Sequence, residues 1–196
     1  MNGRELLIGV SGGIAAYKTA TLVSRLVQAG AQVRVVMTAA ATQLVGPKTF
    51  EALTGRPVLT EMFGPGAHPH IEPAETAELL CVAPATANLL AKAAHGLADD
   101  LLSTLLLAFD GPVVMAPAMN CHMWQKPAVQ RNVAQLRADG VLLIDPEEGH
   151  LSCGMRGPGR MAEPETIFAL IAQQLTKIKA AIEDQPSASD RGRPRS

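Results

Sequence analysis

Aromatic residues are scarce in this chain: one Trp, one Tyr and four Phe make up 3% of 196 residues. A core must therefore come from Ala, Leu, Val and Ile, the small and branched residues that suit helices packed closely on a parallel sheet. Cysteine is also sparse. Cys81, Cys121 and Cys153 are odd in number and lack metal-ligand spacing, which argues for free thiols in a reducing compartment and against a disulfide framework. No metal site is expected. No apolar run approaches a membrane span, and the one after Met1-Asn2-Gly3-Arg4 is too short for a signal peptide. The expected location is the cytoplasm, with no membrane contact. An excess of charge is missing too: 17 basic residues face 18 acidic ones, a net charge of -1, so no basic face for nucleic acid is indicated.

What remains is a chain that is 47% hydrophobic and 18% charged, enough to bury one sizeable core. The reading is a single domain over 1–184. A tail over 185–196, with Arg191, Arg193 and Arg195 among Ser, Pro and Gly, is expected to be disordered.

Strand and helix patterns alternate along the domain. Apolar or β-branched runs predict strands at Glu5–Val10, Gln32–Met37, Leu79–Ala83, Pro112–Ala116 and Val141–Ile144. Helical spacing predicts helices over 14–29, in one or two pieces over 39–56, and over 87–95, 99–109, 128–138 and 165–182. Residues 58–73 read as a long irregular segment, and 147–161 as a Gly-rich loop. The order implies an α/β fold: a doubly wound, Rossmann-like or flavodoxin-like parallel sheet with helices on both faces, in three αβα layers. Ligands of such sheets bind beyond the carboxyl ends of the strands, where the strand order reverses. That places a candidate site at the loops Ser11–Gly13, Thr38, Pro84–Asn88 and Pro117–Asn120.

Ser11-Gly12-Gly13 opens a helix after a buried strand, where glycines admit a ligand to the backbone and helix-start N–H groups attract an anion. The hydroxyls of Ser11 and Thr38 are candidate extra donors. A tight turn that binds nothing is the alternative. The GxGxxG and GK[ST] patterns are absent, and Val36-Met37-Thr38 lacks the acid that holds a dinucleotide ribose, so a mononucleotide fits better. Pro84-Ala85-Thr86-Ala87-Asn88 offers small residues for a flat ring plus two polar side chains, or else a plain capping Thr and a surface Asn. Pro117-Ala118-Met119-Asn120-Cys121-His122-Met123-Trp124 sets an amide, two thioethers and the single Trp beyond a strand. An apolar anchoring loop is its simpler reading. His68 and His70 are candidate acid-base groups, or idle exposed residues. Cys153, among glycines, suits a lid closing on a ligand, or is an incidental thiol.

SGGIAAYK at 11–18, the HI pair at 70–71, PATAN at 84–88, PAMNCHMW at 117–124 and SCGMRGPGRM at 152–161 stand in the order found in the flavin-containing cysteine decarboxylases, which the chain resembles from about Leu6 to Ile182. The resemblance implies FMN, with its phosphate on Ser11, Gly13 and Thr38 and its ring near Thr86 and Asn88. Gly12, Ile14, Pro84, Ala85 and Met119 complete the implied cofactor contacts. It also implies His70 as catalytic base, Asn120 on the substrate carboxylate with Ala118 and Met155 beside it, and Cys153 as proton donor in the second half-reaction. The implied activity is FMN-dependent decarboxylation of 4′-phospho-N-pantothenoylcysteine in coenzyme A biosynthesis: oxidation to a thioaldehyde, loss of CO2, then reduction of the ene-thiolate. A peptidyl-cysteine decarboxylase of the lantibiotic type, which stops at the ene-thiol, is the runner-up, favoured less because of Cys153. A non-enzymatic FMN-binding regulator is a further alternative. So is flavin prenyl transfer, which lacks the PAMN and SCG segments. Members of the family assemble as homo-oligomers, trimers or dodecamers, with a small-molecule substrate as partner. In many bacteria the domain is fused to a ligase, and this chain is expected to be either free-standing or a fragment.

Overall fold

The structure, a computed structural model, describes residues 1–63, 72–150 and 156–183. It opens with strand β1 (Glu5–Val10), helix α1 (Ala16–Gln28) and strand β2 (Gln32–Met37). Short helices α2 (Ala39–Thr42), α3 (Pro47–Thr54) and α4 (Glu72–Thr76) lead to strand β3 (Leu79–Ala85). Helices α5 (Ala87–His95) and α6 (Leu101–Ala108) precede strand β4 (Val113–Pro117). Then come α7 (Cys121–Trp124), α8 (Pro127–Ala138), β5 (Leu142–Leu143), β6 (Glu147–His150), β7 (Arg156–Arg160) and α9 (Pro164–Glu183).

Five parallel strands form a sheet in the order β2-β1-β3-β4-β5, the flavodoxin-like arrangement. Alternation along β1 explains the three layers. Leu6, Ile8 and Val10 point into a core shared with Leu22 and Leu26 of α1, Phe50 of α3, and Ile167, Ile171 and Leu175 of α9. Leu7 points the other way, into a core built from Leu89, Leu90, Leu102, Leu105, Val133 and Leu136 of α5, α6 and α8. Both faces are apolar because both are covered. Gly9 is small for the same reason: a Cβ there would lie 2.5 Å from a methyl of Leu102. The order reverses between β1 and β3, which share a boundary while the chain moves outward on either side. This is the switch point.

Three expectations are corrected. β3 does not stop at Ala83 but runs through Pro84 to Ala85, across a register shift against β4 between Val82 and Ala85. Proline is tolerated in a central strand at such an irregularity. Within 58–73, Leu59 bridges to Val36 and residues from Glu72 onward form α4. The two ends of the Gly-rich stretch are strands: β6 and β7 pair antiparallel, Glu147 opposite Arg160 and His150 opposite Arg156, while 151–155 lie outside the described residues. Smaller differences trim helix ends. Asp100 caps α6 by accepting from the Ser103 N–H at 2.8 Å, while Ser103 returns a bond to the Asp100 N–H. The tail expected over 185–196 lies outside the described residues.

Candidate active site

The carboxyl ends of β1, β2, β3 and β4 open onto one cleft of about 850 Å³, a size that suits a small cofactor with room for a substrate. Its walls include Ser11, Gly12, Gly13, Ile14, Thr38, Thr86, Asn88, Ala118, Met119 and Asn120, all expected from sequence. Pro84 and Ala85 are buried in β3 and support the wall from behind instead of lining it. His70, Cys153 and Met155 lie outside the described residues, as do His68 and Ile71.

The irregularity at Pro84 leaves carbonyls that the strand ladder does not satisfy, and buried carbonyls need partners. Side chains supply them. Thr19 Oγ1 of α1 donates to the Ala83 carbonyl at 2.6 Å, and Ser11 Oγ donates to the Pro84 carbonyl at 2.7 Å. Ser11 Oγ in turn accepts from the Thr86 N–H at 3.0 Å. Its single proton is thus committed inside the protein, and Ser11 is only 2% exposed. In this arrangement the Ser11 hydroxyl builds the turn. Thr38 differs. It caps α2, its Oγ1 accepting from the Ala41 N–H at 3.3 Å, so its own proton points to no acceptor among the described residues.

The donors that the turn leaves unpartnered are backbone groups. None of the described residues accepts from the N–H of Gly12, Ile14 or Ala15. The glycines make this geometry possible. A Cβ on Gly12 would lie 2.4 Å from the Ala40 Cβ, and one on Gly13 would sit 3.3 Å from the Pro84 ring. The turns after β1 and β2 therefore interlock at a spacing that only Gly12 allows, which brings two sets of N-terminal amides to one place.

On the opposite wall, Asn120 caps α7, its Oδ1 accepting from the His122 N–H at 2.8 Å. That oxygen is turned into the helix. The loop is fixed by β7. The Met119 N–H donates to the Gly159 carbonyl at 2.9 Å, and a Cβ on Gly159, whose φ is +145°, would lie 2.2 Å from the Met119 carbonyl oxygen. Gly157 packs on Cys121 in the same way, at 3.0 Å. These glycines serve close packing on the Asn120 loop, and the lid expected around Cys153 lies outside the described residues.

Sequence reading missed the charged rim. Lys18, Lys92, Asp100 and Arg160 all line the cleft. Lys92 of α5 bonds both Asp99 (2.6 Å) and Asp100 (2.7 Å), bonds that hold its ammonium above the ordinary lysine range. Burial pushes Asp100 upward, but the hydrogen bonds from Lys92 and Ser103 more than reverse it and leave the carboxyl below its ordinary value. Lys18, 8% exposed, donates to the Met161 carbonyl at 3.3 Å and to Glu163 at 3.0 Å. That Lys18 bond, opposed by desolvation and joined by Arg160, holds Glu163 below the usual carboxylate range. No local pattern signals these pairs, since Lys18 and Glu163 are 145 residues apart. Among the described residues, no group of three or more His, Cys, Asp and Glu is placed to hold a metal.

The chain is similar to known proteins along most of its length. The profile of the family described as "Flavoprotein" matches residues 1–176. The Coenzyme A biosynthesis bifunctional protein CoaBC of Bacillus subtilis (strain 168) is 49% identical over 184 residues, which cover 92% of this chain and 45% of that protein. The chain thus spans less than half the length of the curated relatives it matches. Among solved structures, the FMN-dependent cysteine decarboxylase SpaF superposes with a TM-score of 0.79 at 40% identity, covering 90% of this chain and 97% of that one. A PPC decarboxylase variant complexed with pantothenoylaminoethenethiol gives a TM-score of 0.81 at 31% identity, covering 89% and 100%. The strand order of the sheet and a match over nine-tenths of the sequence agree: the chain belongs to the Flavoprotein family.

Proposed function

We propose that this chain is an FMN-dependent decarboxylase that converts 4′-phospho-N-pantothenoylcysteine to 4′-phosphopantetheine, a step of coenzyme A biosynthesis. The observation that carries the reading is the cleft itself. Amides of Gly12, Ile14 and Ala15 and the Thr38 hydroxyl stand on one wall and the Asn120 amide on the other, in a chain 49% identical to a coenzyme A biosynthesis protein.

The residues fit FMN. The interlocked Gly12 and Ala40 backbones leave unpartnered N–H groups for a phosphate, and Thr86, Asn88 and Met119 border the space for a flat ring. Bound FMN supplies a two-electron oxidation of the thiol-bearing carbon and later returns the pair, so the net reaction is a redox-neutral loss of CO2. The chain supplies position and protons. Asn120 holds the carboxylate through its amide nitrogen without adding charge, and the low polarity around Ala118 and Met119 favours release of neutral CO2 over retention of the anion. His70 takes the proton from the substrate thiol, and Cys153 delivers one to carbon in the second half-reaction; both assignments rest on the family motifs. The exposed apolar side chains at the cleft, Ile14 (59%), Tyr17 (61%) and Met123 (47%), support a homo-oligomer in which a neighbouring copy covers the mouth. Free Cys81 and Cys121 support a reducing, cytoplasmic setting.

The 40% identity to SpaF favours a second reading, oxidative decarboxylation of a cysteine-bearing peptide that ends at the ene-thiol. The product separates the two. Purified protein is expected to be yellow, absorbing at roughly 450 nm as flavin cofactors do, and to turn phosphopantothenoylcysteine into saturated phosphopantetheine by mass spectrometry. His70→Asn is expected to keep its flavin and lose decarboxylation; Cys153→Ser is expected to accumulate the ene-thiol. Ene-thiol alone from the unaltered protein would move the assignment to the peptide reading.

A further inference from the structure

The charged groups around the cleft differ in how firmly they are held. On the α5 side one cation, Lys92, meets two carboxylates, Asp99 and Asp100. On the α1 side two cations, Lys18 and Arg160, share the single carboxylate of Glu163. Glu147, whose carboxylate accepts from the Glu163 N–H, adds a second carboxylate to the α1 side, so the two cations there are balanced in charge and differ only in how firmly they are held.

Of the two cations, only Arg160 has freedom to change partner. Lys18 is held by the Met161 carbonyl as well as by Glu163, and its side chain is 10% exposed against 42% for Arg160. The Arg160 backbone is fixed, because Gly159 before it is wedged against Met119 and its own strand position pairs with Glu147. The carboxylate of Glu147 accepts from the Glu163 N–H and so holds the start of α9. When the guanidinium turns away from Glu163, the carboxylate keeps Lys18 at 3.0 Å and is not orphaned. Exchanging one anionic partner for another costs little there.

We propose that Arg160 binds the phosphate monoester of the substrate and is the residue by which the cleft selects a phosphorylated substrate over its dephospho form. The inference rests on the reaction proposed above. The cofactor phosphate is provided for by the amides after β1 and β2, so the half-exposed Arg160 guanidinium, which also lines the cleft, is left for a second anion. A guanidinium offers that anion two parallel N–H donors, and a phosphate monoester at neutral pH is the partner it suits best.

The test compares phosphopantothenoylcysteine with pantothenoylcysteine on the flavin-loaded full chain and on Arg160→Gln and Arg160→Lys. Losing one charge-assisted contact lowers kcat/KM for the phosphorylated substrate on the order of 10- to 100-fold, mainly through KM. The loss on the dephospho substrate is less than about twofold by the same reasoning, and Arg160→Lys recovers part of the discrimination. Flavin content stays at the level of the unaltered protein. Equal losses on both substrates, no loss on either, or weakened flavin binding would each overturn the assignment. Titration calorimetry with 4′-phosphopantetheine and pantetheine gives a reading independent of turnover. If the protein turned over neither substrate, the proposed reaction would fail, while a preference for the phosphorylated compound that vanishes in Arg160→Gln would still uphold Arg160. Equal binding of the two compounds by the unaltered protein would refute it.

Discussion

The Ser11 hydroxyl donates to the Pro84 carbonyl at 2.7 Å and thereby fastens the end of β1 to the end of β3, across the switch point where the cleft begins. The same oxygen accepts from the Thr86 N–H, so one buried side chain sets both the phosphate turn and the start of α5. A residue that sequence motifs mark as a cofactor contact is in this arrangement a brace.

Ser11→Ala is accordingly expected to damage stability and cofactor binding together. It leaves the Thr86 N–H without its acceptor and removes one of two donors to Pro84, the other being the Ser11 N–H at 3.3 Å. A buried polar group left unpaired costs about 1–3 kcal/mol. Thr38→Ser, which keeps both the cap on α2 and the outward proton, is expected to retain flavin. Thr38→Ala is expected to weaken flavin binding with the smaller effect on the fold. Urea unfolding and flavin fluorescence on the same samples separate the two, and a Ser11→Ala protein of full stability would remove the bracing role.

The glycines of the cleft give a second prediction. Gly12→Ala drives a methyl to 2.4 Å from Ala40, and Gly159→Ala drives one to 2.2 Å from a backbone oxygen while requiring φ of +145°. Neither obstacle is the end of a flexible side chain, so Gly12→Ala should separate the turns after β1 and β2 and lose flavin. Gly159→Ala should push β7 off the Asn120 loop and reduce turnover at retained flavin. Gly46→Ala, where a Cβ meets nothing within 4 Å, is the control. Gly46 is the N-cap of α3, so the expected stability change is about 1 kcal/mol or less, with flavin retained. Melting temperatures and bound flavin measured on the three variants check the ranking.

Much of this was legible in the sequence, and what was not shares one cause. The five sheet strands, the caps at Thr86 and the glycine stops at Gly30, Gly55 and Gly140 are set by neighbours within a turn or so, and local pattern finds them. Pro84 reads as a strand end because local rules treat proline as a breaker; only the register shift against β4 makes room for it. Gly157 and Gly159 read as flexibility, yet their reason is contact with Cys121 and Met119, about forty residues earlier in the chain. The rim pairs, Lys18 with Glu163 above all, exist only after folding has brought α1 to the start of α9. The cleft's backbone was thus readable, and its electrostatics were not.

Cys81 offers a check on the core. It lies in the middle of β3, fully buried, and burial raises its thiol pKa to about 12. At neutral or mildly alkaline pH it has almost no thiolate, the form that reacts with disulfide reagents or iodoacetamide. In the folded protein Cys81 is expected to resist labelling and to react once urea unfolds the chain. Peptide mass mapping after a timed pulse reads this directly. Rapid labelling of Cys81 in the native state would mean that β3 opens far more readily than its packing implies.

The last prediction concerns acid. Asp100 and Glu163 both titrate below their ordinary values in the folded state, so folding favours their charged forms. The sign follows from linkage: their contribution is fully present above the ordinary carboxylate pKa and is lost as pH falls through the lower, folded-state values. The window is therefore on the acid side of about 4, not near neutrality. Lys92, Asp99 and Ser103 face Asp100, and Lys18 and Arg160 face Glu163, so protonation removes a partner from the cations on each side of the cleft rim. Asp100→Asn retains an oxygen to cap the Ser103 N–H but carries no charge to titrate. Its melting temperature is expected to be lower than that of the unaltered protein at pH 7 and to fall less steeply below pH 4, so the two curves converge in acid. Parallel curves down to pH 3 would show that the Lys92 pair does not contribute to stability and that α6 is held by its cap alone.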